Sequence, residues 1–397
     1  MIERSGFSVL VCAAILLALA TSILARNWYV TPEGTGDAPT IQAAVDSAAT
    51  SDVVLLASGT FRGDGNRDVD FSGKSITVTS EAGQATYCIV DCEGSETEPH
   101  RGFLFISGEG QDAVLEAITI MGGYAQSGGG IVCLNSAEPV IRNCHVRGCV
   151  AGLHGGGIHA AYSSPTIEAC QIADNTSGHY GGGADFRTSQ SSIEDCFFSG
   201  NWARDCGGGL SSTGSYWGIS IDRCIFWQNT CQSFGGGLWL AGENNWPVVT
   251  DCTVVRNDAL WGAGVHLGAD YEVGHPPTTI HNTVIALNTT GEAVGADGSL
   301  NTVYPDLECC DVWGNEGGDY TWILEDYVGM WGNISECPSF CHAELGDLGL
   351  CDESPCLPGN HPDGYDCGLI GALDVGCTCG PTKTEPATWG AIKSIYR

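Results

Sequence analysis

Three consecutive glycines recur through the middle of this chain at a nearly fixed interval, and that recurrence restricts the fold more than any other feature. Triplets stand at Gly128–Gly130, Gly155–Gly157, Gly181–Gly183, Gly207–Gly209 and Gly235–Gly237, with a degenerate copy at Gly262-Ala263-Gly264. Successive copies start 27, 26, 26, 28 and 27 residues apart. A second series keeps the same beat: Cys144, Cys170, Cys196, Cys224 and Cys252, with Thr283 in the sixth place. Three residues before each stands Ile141, Ile167, Ile193, Ile221, Val249 or Ile280, and two after each stands Val146, Ile172, Phe198, Phe226, Val254 or Ile285. Five after comes Asn175, Asn201, Asn229, Asn257 or Asn288, with Cys149 breaking the set.

Each copy holds short β-branched or aromatic runs separated by glycine, too short for helices. One such unit cannot bury its own apolar face, so the copies must stack and place equivalent residues in ladders. At the spacing of neighbouring strands, roughly 4.8 Å, the apolar columns become a continuous interior. The Asn column suits a turn whose amides bond backbone and one another from coil to coil. A leucine-rich repeat has a similar period, but its Leu pattern is missing. The spacing therefore predicts an all-β, single-stranded parallel β-helix (a solenoid), with regular repeats over 122–290.

Upstream, Thr40 to Ala49 carries a helical stripe of Ile41, Ala44, Val45 and Ala48 with Thr40 as N-cap. It is expected to cover the open N-terminal end, ahead of a first strand at Val53 to Leu56. Further strands are expected at Ser75 to Thr79 and Ala113 to Ile120. After Asn301 the beat fades and cysteines crowd: Cys309, Cys310, Cys337, Cys341, Cys351, Cys356, Cys367, Cys377 and Cys379. These read as final irregular coils stapled by disulfides over 301–379, with the pairing open; a metal site is the alternative. Residues 380–397 read as a linker and tail, of which 388–397 are expected to be dispensable for folding but to matter for location.

The Phe-x-x-Asn steps Phe198 to Asn201 and Phe226 to Asn229, following Gly-Gly-Gly-[Ile/Leu], resemble the repeats of chlamydial polymorphic outer membrane proteins. The stretch TIQAAVDSAATSDVVLLASGTFRG from Thr40 resembles the cap and first coil of right-handed β-helix proteins of the pectin-lyase-like superfamily. The resemblance covers most of 40–290 and implies a right-handed solenoid. It implies little about activity, because the superfamily hosts lyases, hydrolases, adhesins and passive surface proteins.

The first 25 residues, an apolar run from Phe7 to Ala20 behind Arg4 and then small residues to Ala25, read as a secretory signal peptide. A mature β-helix domain would then span 26–379, secreted or at a bacterial cell surface, with no transmembrane segment left. Removing Cys12 leaves 20 of the 21 cysteines, an even number suited to a disulfide-permissive compartment. The balance of 15 basic against 47 acidic residues argues against nucleic acid and anionic membranes.

Candidate chemistry is sparse. Cβ atoms of the Cys column should lie near the strand spacing, wider than a disulfide needs, so the column reads as reduced core. Asp64-x-Asn66-x-Asp68-x-Asp70 has the alternating oxygens of a calcium loop, the one hint of a cofactor. It lacks the glycine and distal Glu of such a loop and reads as a polar turn. The HGGG at His154 has no nucleophile elbow to serve and is set aside as part of the repeat. Alternation turns Val132, His159, Asp185, Ser211, Trp239 and His266 outward on the strand after each triplet. His159, Asp185 and nearby Arg187 read as a solvated face, since no second carboxylate joins the column. No catalytic or metal residue is assigned.

The spacing from column to triplet is constant at 10 or 11 residues, whereas triplet to column grows from 15 to 21. Insertions therefore enter at one corner, which carries Tyr162, Tyr216, Trp217, Trp246 and Tyr271. Solenoids often bind along such an edge. The expected ligand site is Tyr216, Trp217, Trp246 and Tyr271, bordered by Trp239 and His266, with an extracellular glycan or protein as partner. The first reading is a non-catalytic surface-display, adhesion or glycan-binding protein; the alternative is a polysaccharide lyase or glycoside hydrolase.

Overall fold

A computed structural model describes residues 25–214, 218–241, 246–268, 278–297 and 304–379. Four parallel sheets run along the axis, and the chain visits them in turn. In the coil that starts at Thr166 the stations are Thr166–Glu168, Gln171–Ala173, Thr176–Ser177 and, past the glycines, Ala184–Arg187. These belong to the first, second, fourth and third sheets, with eleven, ten, seven and nine strands. The expected parallel β-helix is present, and its columns stack in register: Ile141 on Ile167 on Ile193, and Val146 on Ile172 on Phe198. All of these side chains are buried.

Two corners of each coil turn on a single left-handed residue. Asn143, Ala169, Asp195, Arg223, Asp251 and Asn282 hold φ between 47° and 53° just before the Cys column. Backbone bonds to the next coil compensate such strain; Ala169 N, for instance, donates to Glu194 O at 2.9 Å. The third corner uses the triplet, and Gly181–Gly183 shows why. Gly181 has φ +62°, and a Cβ there would lie 2.2 Å from Ala184 O. A Cβ on Gly182 would meet Trp202 O at 2.5 Å, and one on Gly183 would meet Gly209 O at 2.5 Å. All three positions exclude a side chain.

The Asn column forms a continuous buried ladder. Asn175, Asn201, Asn229, Asn257 and Asn288 each donate from Nδ2 to Oδ1 of the next, at 2.8–3.1 Å, ending on Asn315. Each Nδ2 also bonds a carbonyl of the preceding coil, as Asn201 does to Ile172 O. Cys149 occupies the place where the ladder starts, its N donating to Asn175 Oδ1. The Cys column is free and buried. Burial pushes the thiols of Cys144, Cys196 and Cys252 well up.

The cap helix is Ile41–Ser47, with Thr40 Oγ1 accepting from Ala43 N. Three expectations need correction here. A strand at Asn27–Val30 precedes Val53–Leu56 and pairs with it, so the latter is second in its sheet. The stretch 113–120 is two strands, Val114–Glu116 and Thr119–Met121, because Ala117 turns at φ 56°. The strand expected at Ser75 to Thr79 is Thr77–Ser80.

The ladders also outlast the visible beat. Asp306–Glu308 and Asp311–Trp313 continue the first two sheets, and Cys310 belongs to the buried column rather than to a disulfide. The disulfides Cys309–Cys367, Cys341–Cys377 and Cys351–Cys379 lie in the expected region. Ile334 still pairs in parallel with Asp311, with Val312 N donating to Ile334 O at 3.1 Å and Cys310 N to Asn333 Oδ1 at 3.0 Å, and beyond it the stapled segment changes course. It folds back along the outside of the second sheet, where Ile334, Leu348, Leu350, Leu357 and Ile370 pack on Phe197, Ile225, Val255, Val284 and Ala286. Trp227 Nε1 donates to Ala343 O at 3.2 Å, and Ala372 N to Thr253 Oγ1 at 2.9 Å. The apolar residues on that outward face explain the detour: left uncovered, they would form an exposed hydrophobic stripe along several coils.

The last strand of the first sheet is closed by side chains. Tyr327 Oη donates to Pro305 O, and Asn333 Nδ2 to Leu307 O. An otherwise open edge is thereby blunted. Among the described residues, no helix is long and apolar enough to cross a membrane. The expected signal segment up to residue 24, and the tail 380–397, lie outside the described residues.

Candidate functional site

The outward column after the triplets runs in one register from Val132 through His159, Asp185, Ser211 and Trp239 to His266. It is not a solvated face. Asp185 and Ser211 are fully buried and His159 nearly so. The cause is the glycine bend. With no Cβ on Gly181, the chain just before it folds tightly against the strand that follows. This brings a second column, His154, Tyr180, Cys206, Phe234 and Trp261, alongside the first.

Between the two columns lies a polar cluster. Asp185 Oδ2 accepts from His159 Nδ1 at 2.9 Å and Arg187 Nε at 2.8 Å, and Oδ1 accepts from Ser211 Oγ at 2.5 Å. Burial opposes ionisation of Asp185. The bond and charge of His159, the charge of Arg187 and the Ser211 bond outweigh it and hold the carboxyl below its ordinary range. Arg187 Nη2 donates to His154 Nδ1 at 2.9 Å. Burial, then the Arg187 charge, lower His154 to about 4, so its imidazole is neutral at pH 7. His154 is thus part of the site, although the sequence reading set it aside.

Rings cover this cluster. Arg187 stacks over Tyr180 at 5.0 Å, and Tyr180 packs on Trp239 at 5.4 Å. Further along, Phe234 packs on His266 at 4.8 Å. His266 Nε2 bonds Asp297 Oδ1 at 3.2 Å, while its buried Nδ1 has no partner. Beside Tyr180, His179 bonds Asp205, which Arg204 also holds.

Trp239 and His266 therefore turn toward the ring corner before the glycines. At the insertion corner, Tyr162 is 70% exposed and Trp246 is half-buried. Tyr216, Trp217 and Tyr271 lie outside the described residues. The sequence reading missed the ring column, although the same alignment contains it one residue before each triplet.

The Asp64–Asp70 stretch engages separate partners. Asp64 pairs with Arg67, Asn66 Oδ1 accepts from Ile41 N, Asp68 bonds His100, and Asp70 accepts from Ser72 N. One trio, Cys351, Asp352 and Cys379, has the closeness of metal ligands among the described residues. Its two sulfurs are already joined in a disulfide.

Residues 101–306, just over half of the chain, match the right handed beta helix region family, and the chain belongs to it. Among solved structures it is similar to the pectate lyase Pel9A, with a TM-score of 0.51 at 14% identity, covering 88% of this chain and 96% of that one. It is also similar to a rhamnogalacturonan lyase, with a TM-score of 0.42 at 11% identity, covering 78% and 87%. At such identities the likeness is one of fold. No curated protein matches the chain.

Proposed function

We propose that this is an exported, non-catalytic glycan-binding β-helix serving surface display or adhesion. Its ligand lies across the outer side of the third sheet, between the ring column and the insertion corner. The observation that carries this reading is the column of rings His154, Tyr180, Phe234 and Trp261, broken once by Cys206, with Trp239 and Arg187 beside it. Aromatic faces stacked along one column suit successive sugar rings, and a partly exposed guanidinium adds hydrogen bonds. Tyr216, Trp217, Trp246 and Tyr271 would close the other side. The state of Asp185 supports binding over cleavage. Both of its oxygens are already engaged by three donors, which leaves little capacity to take a proton or hold a cation. The three disulfides support an oxidising destination.

A glycan array followed by product analysis tests the reading. Retention without cleavage is expected, whereas new reducing ends or unsaturated products would replace the binder with an enzyme. On the glycan so identified, Trp239→Ala should weaken binding about fivefold, and Trp217→Ala with Trp246→Ala about tenfold or more, because each stacking ring contributes roughly 1 kcal/mol. Far-UV circular dichroism should not change. Full affinity in both variants would move the site elsewhere.

A further inference from the structure

Of the fourteen free cysteines among the described residues, thirteen are buried and one, Cys337, is exposed. The fold-back contains two cysteines outside the three disulfides, Cys337 and Cys356. The chain brings their segments together. Cys351 N donates to Ser339 O at 2.9 Å, and Ser354 Oγ to Pro338 O at 2.6 Å. Cys356 N in turn donates to Ser354 Oγ at 3.2 Å. The two segments run antiparallel here, and Cys337 lies near enough to Cys356 for its charge to act on that thiol.

Cys356 has an unusual partner. Its thiol bonds Asp311 Oδ2 at 3.2 Å, and Glu336 N donates to Asp311 Oδ1 at 3.1 Å. Asp311 sits on the last coil of the second sheet, in register with Val284, in the face that the fold-back covers. Both Asp311 and Cys356 are fully buried. Burial and the Asp311 charge push the Cys356 thiol well up, so it needs a base to lose its proton, and the carboxyl bonded to it, raised by burial to about 7, stands where that base is required.

We infer that Cys337 and Cys356 form a fourth, exchangeable disulfide, with Asp311 accepting the Cys356 proton as the bond closes. The oxidant is a low-molecular-weight disulfide. The Cys337 thiol loses its proton to solvent and its sulfur attacks that disulfide, releasing one thiolate and leaving a mixed disulfide on Cys337. Cys356 then passes its proton to Asp311 and attacks the Cys337 sulfur, releasing the second thiolate. Two electrons leave the protein with the two thiolates, one proton goes to solvent from Cys337 and the other rests on Asp311, from which it passes to solvent, and one S–S bond forms in the protein while one breaks in the oxidant. The order follows from exposure, because only Cys337 is open to an external molecule. The inference is independent of the ligand reading.

The experiment treats the full chain with oxidised glutathione under native conditions and maps its peptides without reduction. A peptide pair linked through Cys337 and Cys356, lighter by two hydrogens, is the expected result. A lasting glutathione adduct on Cys337 with Cys356 still free, or no change at either residue, overturns the inference. Cys337→Ser, an exposed change that leaves the fold alone, should abolish the linked pair, and its persistence would be equally fatal. In Asp311→Asn the mixed disulfide should accumulate and closure slow about tenfold or more. Closure at the unaltered rate would remove Asp311 from the step.

Discussion

Asn229 shows how much a single side chain holds in this fold. Its Oδ1 accepts from Asn201 N and Nδ2, and its Nδ2 donates to Phe198 O and Asn257 Oδ1. None of these groups can reach water if the amide is removed, since the position is fully buried. Asn229→Ala should therefore cost about 2–4 kcal/mol in urea unfolding, well above an exposed Asn→Ala. His154 makes a pH prediction at the same scale. Its folded value near 4 lies below the ordinary 6.5, so between those values the unfolded chain binds more protons. Stability is lost as pH falls from about 6.5 toward 4. His154→Gln should flatten that part of the profile, by on the order of 1 kcal/mol after allowance for its partial exposure. An unchanged slope would show that the fold does not depress His154.

At the scale of elements, the fold-back stands out, because it hides apolar strands that a solenoid otherwise turns to solvent. Asp311 is the exception within that contact. Its raised carboxyl stays protonated up to about 7, while in the unfolded chain it ionises from about 4. The contact thus becomes less stable as pH rises from about 4 to 7, and the loss is constant above. Cys356, Glu336 and Asp319 are the titrating groups around it. Asp311→Asn should be more stable than the wild type at pH 8, by a few kcal/mol at most, and equal to it near pH 4.5. Urea midpoints at the two pH values check this.

The elements also show what the sequence could reveal. The Cys, Ile and Asn columns were legible because stacking forces chemically similar residues into equal spacing. Cys310 and Asn315 continue those columns, yet Cys309 and the neighbouring cysteines drew attention from the beat to the crowding. The fold-back was illegible for a different reason. Its contacts, such as Trp227 with Ala343, join residues 116 apart with no period to announce them. The burial of Asp185 was missed because alternation says only which side of a strand a residue faces. It does not say whether another part of the chain covers that side, and here the glycine bend does.

Across the whole molecule, the amide ladder has a direction. One N–H of each Nδ2 points toward the following coil's amide oxygen, so the side-chain amides are joined head to tail. At the end, Asn315 Nδ2 donates to Asp319 Oδ1 at 2.8 Å, so a carboxylate meets the positive end of the row. At the beginning stands the Cys149 backbone N–H. Nothing within the ladder itself fixes how many coils there are. Each Asn hands to the next what it received from the last, and an added coil would find the same offer on both sides. Duplicating Trp202–Asn229 in place should give a folded protein one coil longer with a cooperative unfolding transition, less only the fold-back contacts that the extra coil puts out of step. Such a molecule resembles a sentence with a fixed first and last word and a repeatable clause between them, so its reach is free to lengthen by copying while its ends stay as they are.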